Sequence, residues 1–316
     1  MTPLAPAAPP RLRPGAGLRV PGSTSNLGPG FDQLGLALEL FLEVEVLALR
    51  KGQEHRIARR AGTARDWPEQ DELMTRAFDA VLARAGAQPV GLELAVRSEI
   101  PLRRGLGSSG AAIAAGLHLA NDSLGDRALP SAELARIGTE LDGHPDNVCA
   151  SLRGGCTLGV PLEGGGLRVL GPPLHESLAF AVAWGPAEVE TSRARAVLPS
   201  DVSLGDVVWN LQRLSLLLAG LASADPELLR QGCRDRLHSA ARLQLVPGGR
   251  AALAAAEEAG AWLATISGSG SALVAAHADP GRLERIAEAM ARELAASQGT
   301  AEQRVLSPCR QGPRTL

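Results

Sequence analysis

The chain has 316 residues, 45% hydrophobic and 21% charged, with a formal charge of −2, a length that suits one large or two moderate domains. That charge excludes an overall basic field for nucleic acid or an anionic membrane, and 3% aromatics without a single Tyr leave little for a base-stacking surface or a porin-like barrel. Near-apolar stretches such as residues 111–120 are broken by Gly116 and His118 and fall short of the roughly 20 residues a membrane span needs.

Lys51 is the only lysine among the 32 basic residues, so a Schiff-base route would have to use it. Its setting, Arg50-Lys51-Gly52-Gln53-Glu54, reads instead as a polar turn after a strand. Cys149, Cys156, Cys233 and Cys309 form no C-x-x-C pair, and their scatter fits neither a zinc site nor a disulfide framework. Reduced, buried thiols in a cytoplasmic protein are the expectation. Residues 1–17 begin with a Pro/Ala-rich stretch that has no cationic start followed by an apolar core, and they read as a disordered leader rather than a secretion signal.

In chain order, residues 19–20 and 43–49 carry strand character, the second alternating Val44, Val46 and Ala48 with Glu43 and Glu45. Between them lies a Gly/Pro/Asn/Ser-rich loop over residues 21–30. Residues 72–85 place Leu73, Ala77, Phe78, Val81 and Leu82 on one helical face, stopped by Gly86. Leu92, Leu94 and Val96 alternate as a strand; a loop over 101–109 then runs into a small-residue helix over 110–120. Ser131 caps a helix through Leu141, which Gly143-His144-Pro145-Asp146 ends.

A second cycle starts near Gly164, and the glycine run 164–166 predicts a domain boundary there: residues 18–163, then 164–316. It holds a strand over 178–184 and a long helix over 203–223, with Val207, Leu211, Leu214, Leu218 and Leu221 inward. Residues 250–259 and 280–296 read as helices, 262–266 and 272–277 as strands around a glycine turn. Strands and helices mix without a regular βαβ rhythm, so the class is α+β.

The strongest local signal is Pro101-Leu102-Arg103-Arg104-Gly105-Leu106-Gly107-Ser108-Ser109-Gly110-Ala111-Ala112. Glycines let backbone approach a ligand, successive N–H groups form an anion nest, and a helix starting there adds its positive end. Gly105 and Gly110 have the Walker spacing, but Ala111 and Ala112 stand where Lys and Ser/Thr would follow. The segment is either a phosphate loop without its lysine or a turn that ends a strand and caps a helix. Asn26 and Asp32 lie six residues apart on another glycine scaffold, and Ile266-Ser267-Gly268-Ser269-Gly270-Ser271 is a further nest. Each could be an ordinary turn; three of them together with Gly143-His144-Pro145-Asp146-Asn147 are hard to explain that way.

The order of these loops resembles the small-molecule kinase family of galactokinases, homoserine kinases, mevalonate kinases and phosphomevalonate kinases. Ser25-Asn26-Leu27-Gly28-Pro29-Gly30-Phe31-Asp32 and Gly143-His144-Pro145-Asp146-Asn147-Val148 resemble the homoserine kinase branch, over roughly residues 18–306. The resemblance implies an N-terminal α/β domain like a ribosomal-protein fold and a ferredoxin-like C-terminal domain. It implies ATP over Pro101, Arg103, Arg104, Gly105, Leu106, Gly107, Ser108, Ser109, Gly110 and Ala111, and magnesium on Ser109 and Glu140, with Glu133 and Asp142 as weaker alternatives. Arg195 and Arg242 would fork the carboxylate of L-homoserine. Asn26, Asp32, His144 and Asp146 would hold its ammonium and hydroxyl, with Gly268 beside them. A homodimer is a further family expectation.

Related mevalonate kinases place an aspartate where this motif has Asn147, and an amide cannot accept the hydroxyl proton at neutral pH. Either the γ-phosphate takes that proton while Asn147 orients the hydroxyl, or Asp146 is the base. Many relatives open the helix near adenine with Asn-Leu; Glu72-Leu73 stands here, so adenine contacts stay unassigned. Rival readings are a kinase of another small alcohol, an inactive ligand-binding member, and a structural or RNA-associated protein, the last disfavoured by charge and aromatic content.

Overall fold

The computed structural model describes residues 10–68 and 72–316. Its first part runs β1 (Gly17–Ser25), β2 (Leu34–Arg50), β3 (Arg56–Gly62), α1 (Leu73–Arg84), β4 (Gly91–Ser98), α2 (Ser108–Ser123), α3 (Ser131–Asp142), α4 (Asp146–Arg153), β5 (Cys156–Pro161) and β6 (Leu167–Leu170). The long strand β2 organises the sheet. β1 pairs antiparallel along one edge of it; on the other edge β5 takes its first residues and β4 its second half. β3 lies parallel to β4 at the border, and β6 pairs with β5. Helices α1 and α2 pack on each other behind this sheet, because α2 is built of Gly, Ala and Leu that permit close approach.

The second part runs β7 (Ala179–Trp184), α5 (Thr191–Ala196), α6 (Leu204–Ser223), α7 (Pro226–Gly232), α8 (Ser239–Arg242), α9 (Gly249–Glu258), β8 (Leu263–Ile266), β9 (Leu273–His277), α10 (Pro280–Gln298) and β10 (Glu302–Leu306), before β11 (Arg314–Thr315) returns to pair with β1. Its sheet is antiparallel in the order β10-β7-β9-β8, the ferredoxin-like order. β7 explains how the two parts join. Phe180, Val182 and Trp184 face a core shared with Leu36 and Leu117 of the first part, whereas Ala181 and Ala183 face Ile286 and Met290 of α10. Alternation along one strand thus serves two cores, and each fully buried Leu or Phe contributes about 1.5–3 kcal/mol. The α+β, two-part organisation is as expected.

Several expectations need correction. The leader expected over 1–17 lies outside the described residues for 1–9, but 10–17 are anchored to the fold: Leu12 is buried, Arg11 N–H donates to the Ser123 carbonyl (2.7 Å) and Gly15 N–H to the Val46 carbonyl (2.8 Å). The cut at 163/164 falls inside the β5–β6 hairpin, because the glycine run makes its turn; the sheets change between β6 and β7. Residues 21–25, read as loop, continue β1. Pro145 ends nothing permanently: with Gly143 left-handed (φ 86°), the chain turns and starts α4 at once. On α6, Leu217 and Leu221 are inward, but Val207 and Leu211 are 38% and 61% exposed and continue a stripe with Leu204 and Val208. The second half of α6 packs on α7 and the core, and the first half projects past them. All four cysteines are free and buried. Among the described residues, no helix is long and apolar enough to cross a membrane.

One close approach fixes the site. Gly35 of β2 lies directly beneath the start of α4, where an added Cβ would overlap the Asp146 carbonyl oxygen. The sheet therefore delivers Asp146 and Asn147 to the level of the glycine turns.

Candidate active site

Three turns meet where the two parts of the molecule join. The first follows β1, the second links β4 to α2, and the third links β8 to β9. Ser23 N–H donates to the Leu106 carbonyl (3.1 Å), Gly268 N–H to Ser25 (3.0 Å) and Ala272 N–H to Arg104 (2.8 Å). Ser267 Oγ donates to the Gly105 carbonyl at 2.6 Å and lies 2.8 Å from Thr24 Oγ1. Gly105 is left-handed (φ 73°), and a Cβ on it would overlap the Ser267 carbonyl oxygen. Only glycine lets the second and third turns touch.

These turns line a cleft of about 600 Å³ that runs from Arg242 and Arg195, past His144 and Asp146, over Ser108 and Ser109, to Glu72 and Arg76. That size suits a small-molecule site. At its centre is the N-terminus of the 16-residue α2, where Gly107 is left-handed and no side chain caps the helix. Its first-turn N–H groups and the positive end of its dipole are left for an anion. Arg103 and Arg104 line the cleft, but their guanidiniums are committed elsewhere. Arg104 donates to the Gly185 and Pro186 carbonyls (3.0 and 2.8 Å), and Arg103 pairs with Glu188 and Glu190 (3.5 and 3.3 Å). They tie the phosphate turn to the second part of the molecule.

Beside α2, the start of α4 buries a charge cluster. Asp146 is 1% exposed, and its Oδ1 accepts from His144 Nδ1–H (2.5 Å), Asn147 N–H (2.7 Å) and Asn147 Nδ2 (3.2 Å). Burial alone would push its carboxyl up, yet the hydrogen bond and charge of His144 hold it below its ordinary value. His144 shows the reciprocal balance: burial would push it down, but the hydrogen bond and charges of Asp146, with Asp142 and Asp32, push it up to about 9. The pair is an imidazolium and a carboxylate at neutral pH. Asn147 is also engaged, accepting from Ser23 Oγ–H (3.0 Å) and donating to Ser25 Oγ (3.1 Å).

At the far end Arg195 of α5 grips Asp32 through two parallel bonds of 2.9 and 3.0 Å. Arg242 of α8 is 2% exposed, donates to the Gly268 carbonyl (2.9 Å) and lies 5.0 Å above the Phe31 ring. Asn26 ties these pieces together: its Oδ1 accepts from Asp32 N–H and its Nδ2 donates to the Gly268 carbonyl, both at 3.0 Å. A cation pair and a carboxylate so close together complement both charges of an amino-acid zwitterion.

Residues 72–155 match the family described as GHMP kinases N terminal domain, and residues 217–296 that described as GHMP kinases C terminal. The homoserine kinase of Synechococcus sp. (strain RCC307) is 40% identical over 275 residues, 86% of each chain. That of Moorella thermoacetica is 38% identical over 296 residues, 93% of this chain and 98% of the relative. The chain belongs to the GHMP kinase family, on its homoserine kinase branch. The crystal structure of homoserine kinase from Cytophaga hutchinsonii superposes with a TM-score of 0.84 at 27% identity, covering 96% of this chain and 98% of that one. L. major mevalonate kinase in complex with R-mevalonate shares the fold at a TM-score of 0.65 and 15% identity.

The cleft of this GHMP kinase brings together Asn26, Asp32, Pro101, Gly105 to Ser109, His144, Asp146, Asn147, Arg195, Arg242 and Gly268. Gly110 and Ala111 stand behind them in the buried first turn of α2. Glu140 is not among them. Its side chain is 61% exposed and bonded to Arg136 one helical turn earlier, on the outer side of α3. Two residues on, where α3 ends, the Asp142 side chain is only 8% exposed and 3.8 Å from His144. Its Oδ2 is buried with no hydrogen-bond partner. Burial pushes its carboxyl up, and the charge of His144 and the hydroxyl of Ser109 pull it partly back. A half-satisfied carboxylate beside a hydroxyl fits a hard cation that takes oxygen ligands; the exposed Glu140 does not. Ser25 and Phe31, quoted above within a motif without a task, and Ser23, unnamed in the loop over 21–30, are drawn into the site by Asn147 and Arg242.

The buried ion pair has a direct signature. His144 should titrate at about 9 by NMR, and Asp146→Asn should move it well down; a His144 pKa near 6.5 in the wild type would contradict the pairing. Because its folded value is raised, the contribution of His144 to stability is full below about 6.5 and is lost as pH rises through about 9.

Proposed function

We propose that this chain transfers the γ-phosphoryl group of ATP to the side-chain hydroxyl of L-homoserine, giving O-phospho-L-homoserine for threonine synthesis. The observation that carries the reading is the placement of the Asp32, Arg195 and Arg242 charges at one end of a cleft whose centre is an uncapped helix N-terminus. Arg195 and Arg242 receive the α-carboxylate, Asp32 the α-ammonium, and the hydroxyl points toward Asn147 and His144. The turn 105–109 and α2 receive the phosphates.

In the transfer, an O–P bond forms between the homoserine oxygen and Pγ while the bond from Pγ to the bridging β,γ-oxygen breaks, and ADP leaves. The hydroxyl proton goes to a phosphoryl oxygen. Asp146 is a poor acceptor for it, because its carboxyl is held low and it already takes three hydrogen bonds. Asn147 has no basic atom. His144 carries its proton and offers positive charge to the phosphoryl oxygens. The chemistry is then positioning and charge neutralisation. Ser109 and Asp142 are the residues we assign to magnesium, which supplies neutralisation of the phosphate charge when bound.

A cytoplasmic location is supported by four buried free thiols, and the absence of nucleic-acid and membrane partners by the charge of −2. A homodimer is the assembly we propose, with the exposed stripe of Leu204, Val207, Val208 and Leu211 as the surface a second copy would cover. A monomer mass by sedimentation at micromolar concentration would contradict it.

A coupled ADP-release assay across homoserine, mevalonate, galactose, threonine and shikimate tests the activity. Homoserine should be turned over in preference, and turnover of another alcohol without homoserine would overturn the substrate. In the same assay Asp142→Asn should lower kcat by on the order of 10²-fold and raise the magnesium requirement, while Glu140→Gln should stay within about twofold of wild type. The reverse ranking would return the metal to Glu140.

A further inference from the structure

His238 lies beyond the groups used above, yet it is fully buried against them. Its side chain is 0% exposed, its Nε2 lies 2.8 Å from the Gly28 carbonyl oxygen, and its ring stacks on Phe31 with centroids 4.7 Å apart and planes 23° apart. A carbonyl oxygen only accepts, so Nε2 carries a proton. Nδ1 is buried without a partner, which suits the bare nitrogen of a neutral ring. Neutrality also follows from the surroundings: burial pushes His238 down, and Arg242 opposes the attraction of Asp235 and Asp32.

What this ring touches is the scaffold of the amino-acid end. Phe31 precedes Asp32, and the Arg242 guanidinium lies 5.0 Å over the other partner of the stack, Phe31 itself. The turn that carries Asp32 is built from positive-φ residues, with Asn26 at 69°, Leu27 at 46°, Gly28 at 84° and Asp32 at 57°. For non-glycine residues such angles cost free energy and persist only where the surroundings over-determine them. The turn is held by its own bonds, Asn26 N–H to the Leu34 carbonyl (2.8 Å) and Gly30 N–H to the Asn26 carbonyl (3.0 Å), and from outside by the 233–242 segment through His238 and Arg242. Asp235 accepts the N–H groups of Leu237, His238 and Ser239 (3.1, 2.9 and 2.6 Å) and is itself held by Asn210 Nδ2 (2.8 Å). His238 is therefore fixed from behind and presents one hydrogen bond and one ring face to the turn.

We infer that His238 is a positioning residue for the amino-acid substrate: through Gly28 and Phe31 it sets the spacing between Asp32 and Arg242, so that one zwitterion spans both. The inference rests on the homoserine reading above, and that reading is tested separately by wild-type turnover. The variants are His238→Leu, which removes the donor and the stack; His238→Gln, which restores a donor near Nε2; and Phe31→Leu, which removes the stack alone.

Steady-state kinetics with each substrate varied should show His238→Leu raising KM for homoserine about tenfold or more. KM for ATP and kcat should stay within about threefold, the pattern of lost binding common to ground and transition state. His238→Gln should recover most of the affinity. Phe31→Leu should raise the same KM, and in the double variant the two effects should fall short of multiplying, since both act on one turn. Should His238→Leu fail to fold, Phe31→Leu and His238→Gln carry the test. Equal losses for ATP and homoserine, failure of the glutamine to rescue relative to leucine, or an unchanged homoserine KM in Phe31→Leu would each overturn the inference. If wild-type protein turns over no homoserine, the function falls first, and the variants are then not its cause.

Discussion

Everything in the site depends on backbone hydrogen bonds that cross from one sheet to the other. The Ser267–Gly268 turn belongs to the second part of the molecule, yet it bonds to Ser25 of β1 and, through Ser267 Oγ, to the Gly105 carbonyl of the phosphate turn. Gly268 is the hub: its carbonyl takes Asn26 from one side and Arg242 from the other. Neither part alone holds a complete cleft. The shared apolar core under β7 keeps the two in register, and the turns convert that register into ångström-scale placement of polar groups.

Charge is handled by the same economy. The cluster at α4 contains buried acids, and burial of an unpaired carboxylate is costly. Asp146 is stabilised by an imidazolium and two donors from Asn147, whereas Asp142 keeps one oxygen unsatisfied. The first arrangement is closed and structural in character; the second is open to a further positive charge. At the other end Asp32 and Arg195 satisfy each other, and a zwitterion offers both the complementary charges it would need to exchange into that pair. The contrast between closed and open pairs is what assigns separate tasks to carboxylates that look alike in the sequence.

Much of this was legible in the sequence. The small-residue start of α2 could be read from Gly105 to Ala112, because glycine and serine there conflict with any simpler local structure, and the motifs around Asn26 and His144 carried the branch of the family. What escaped depended on tertiary packing. Glu140 and Asp142 are two residues apart, so they project from different sides of α3, and only the packed fold shows which one is buried beside His144. Pro145 was a helix terminator by local rules, and it is also compatible with a new helix beginning beside it. The glycine run 164–166 has the composition of a linker and the geometry of a hairpin turn. On α6, hydrophobic periodicity identified a stripe but not how far along the helix a partner covers it. His238 gave no signal of its own, since its importance lies in a stack with Phe31 more than two hundred positions away.

The central claim is that the phosphate turn and the amino-acid end are one construction, joined where Gly105 meets Ser267. Calorimetric titration of ATP and of homoserine, separately, into folded Gly105→Ala protein tests it most directly. Loss of both affinities, with the circular dichroism of the wild type retained, is the predicted result. Loss of ATP binding with homoserine binding intact would contradict it, because the two ends would then be independent sites that merely share a cleft.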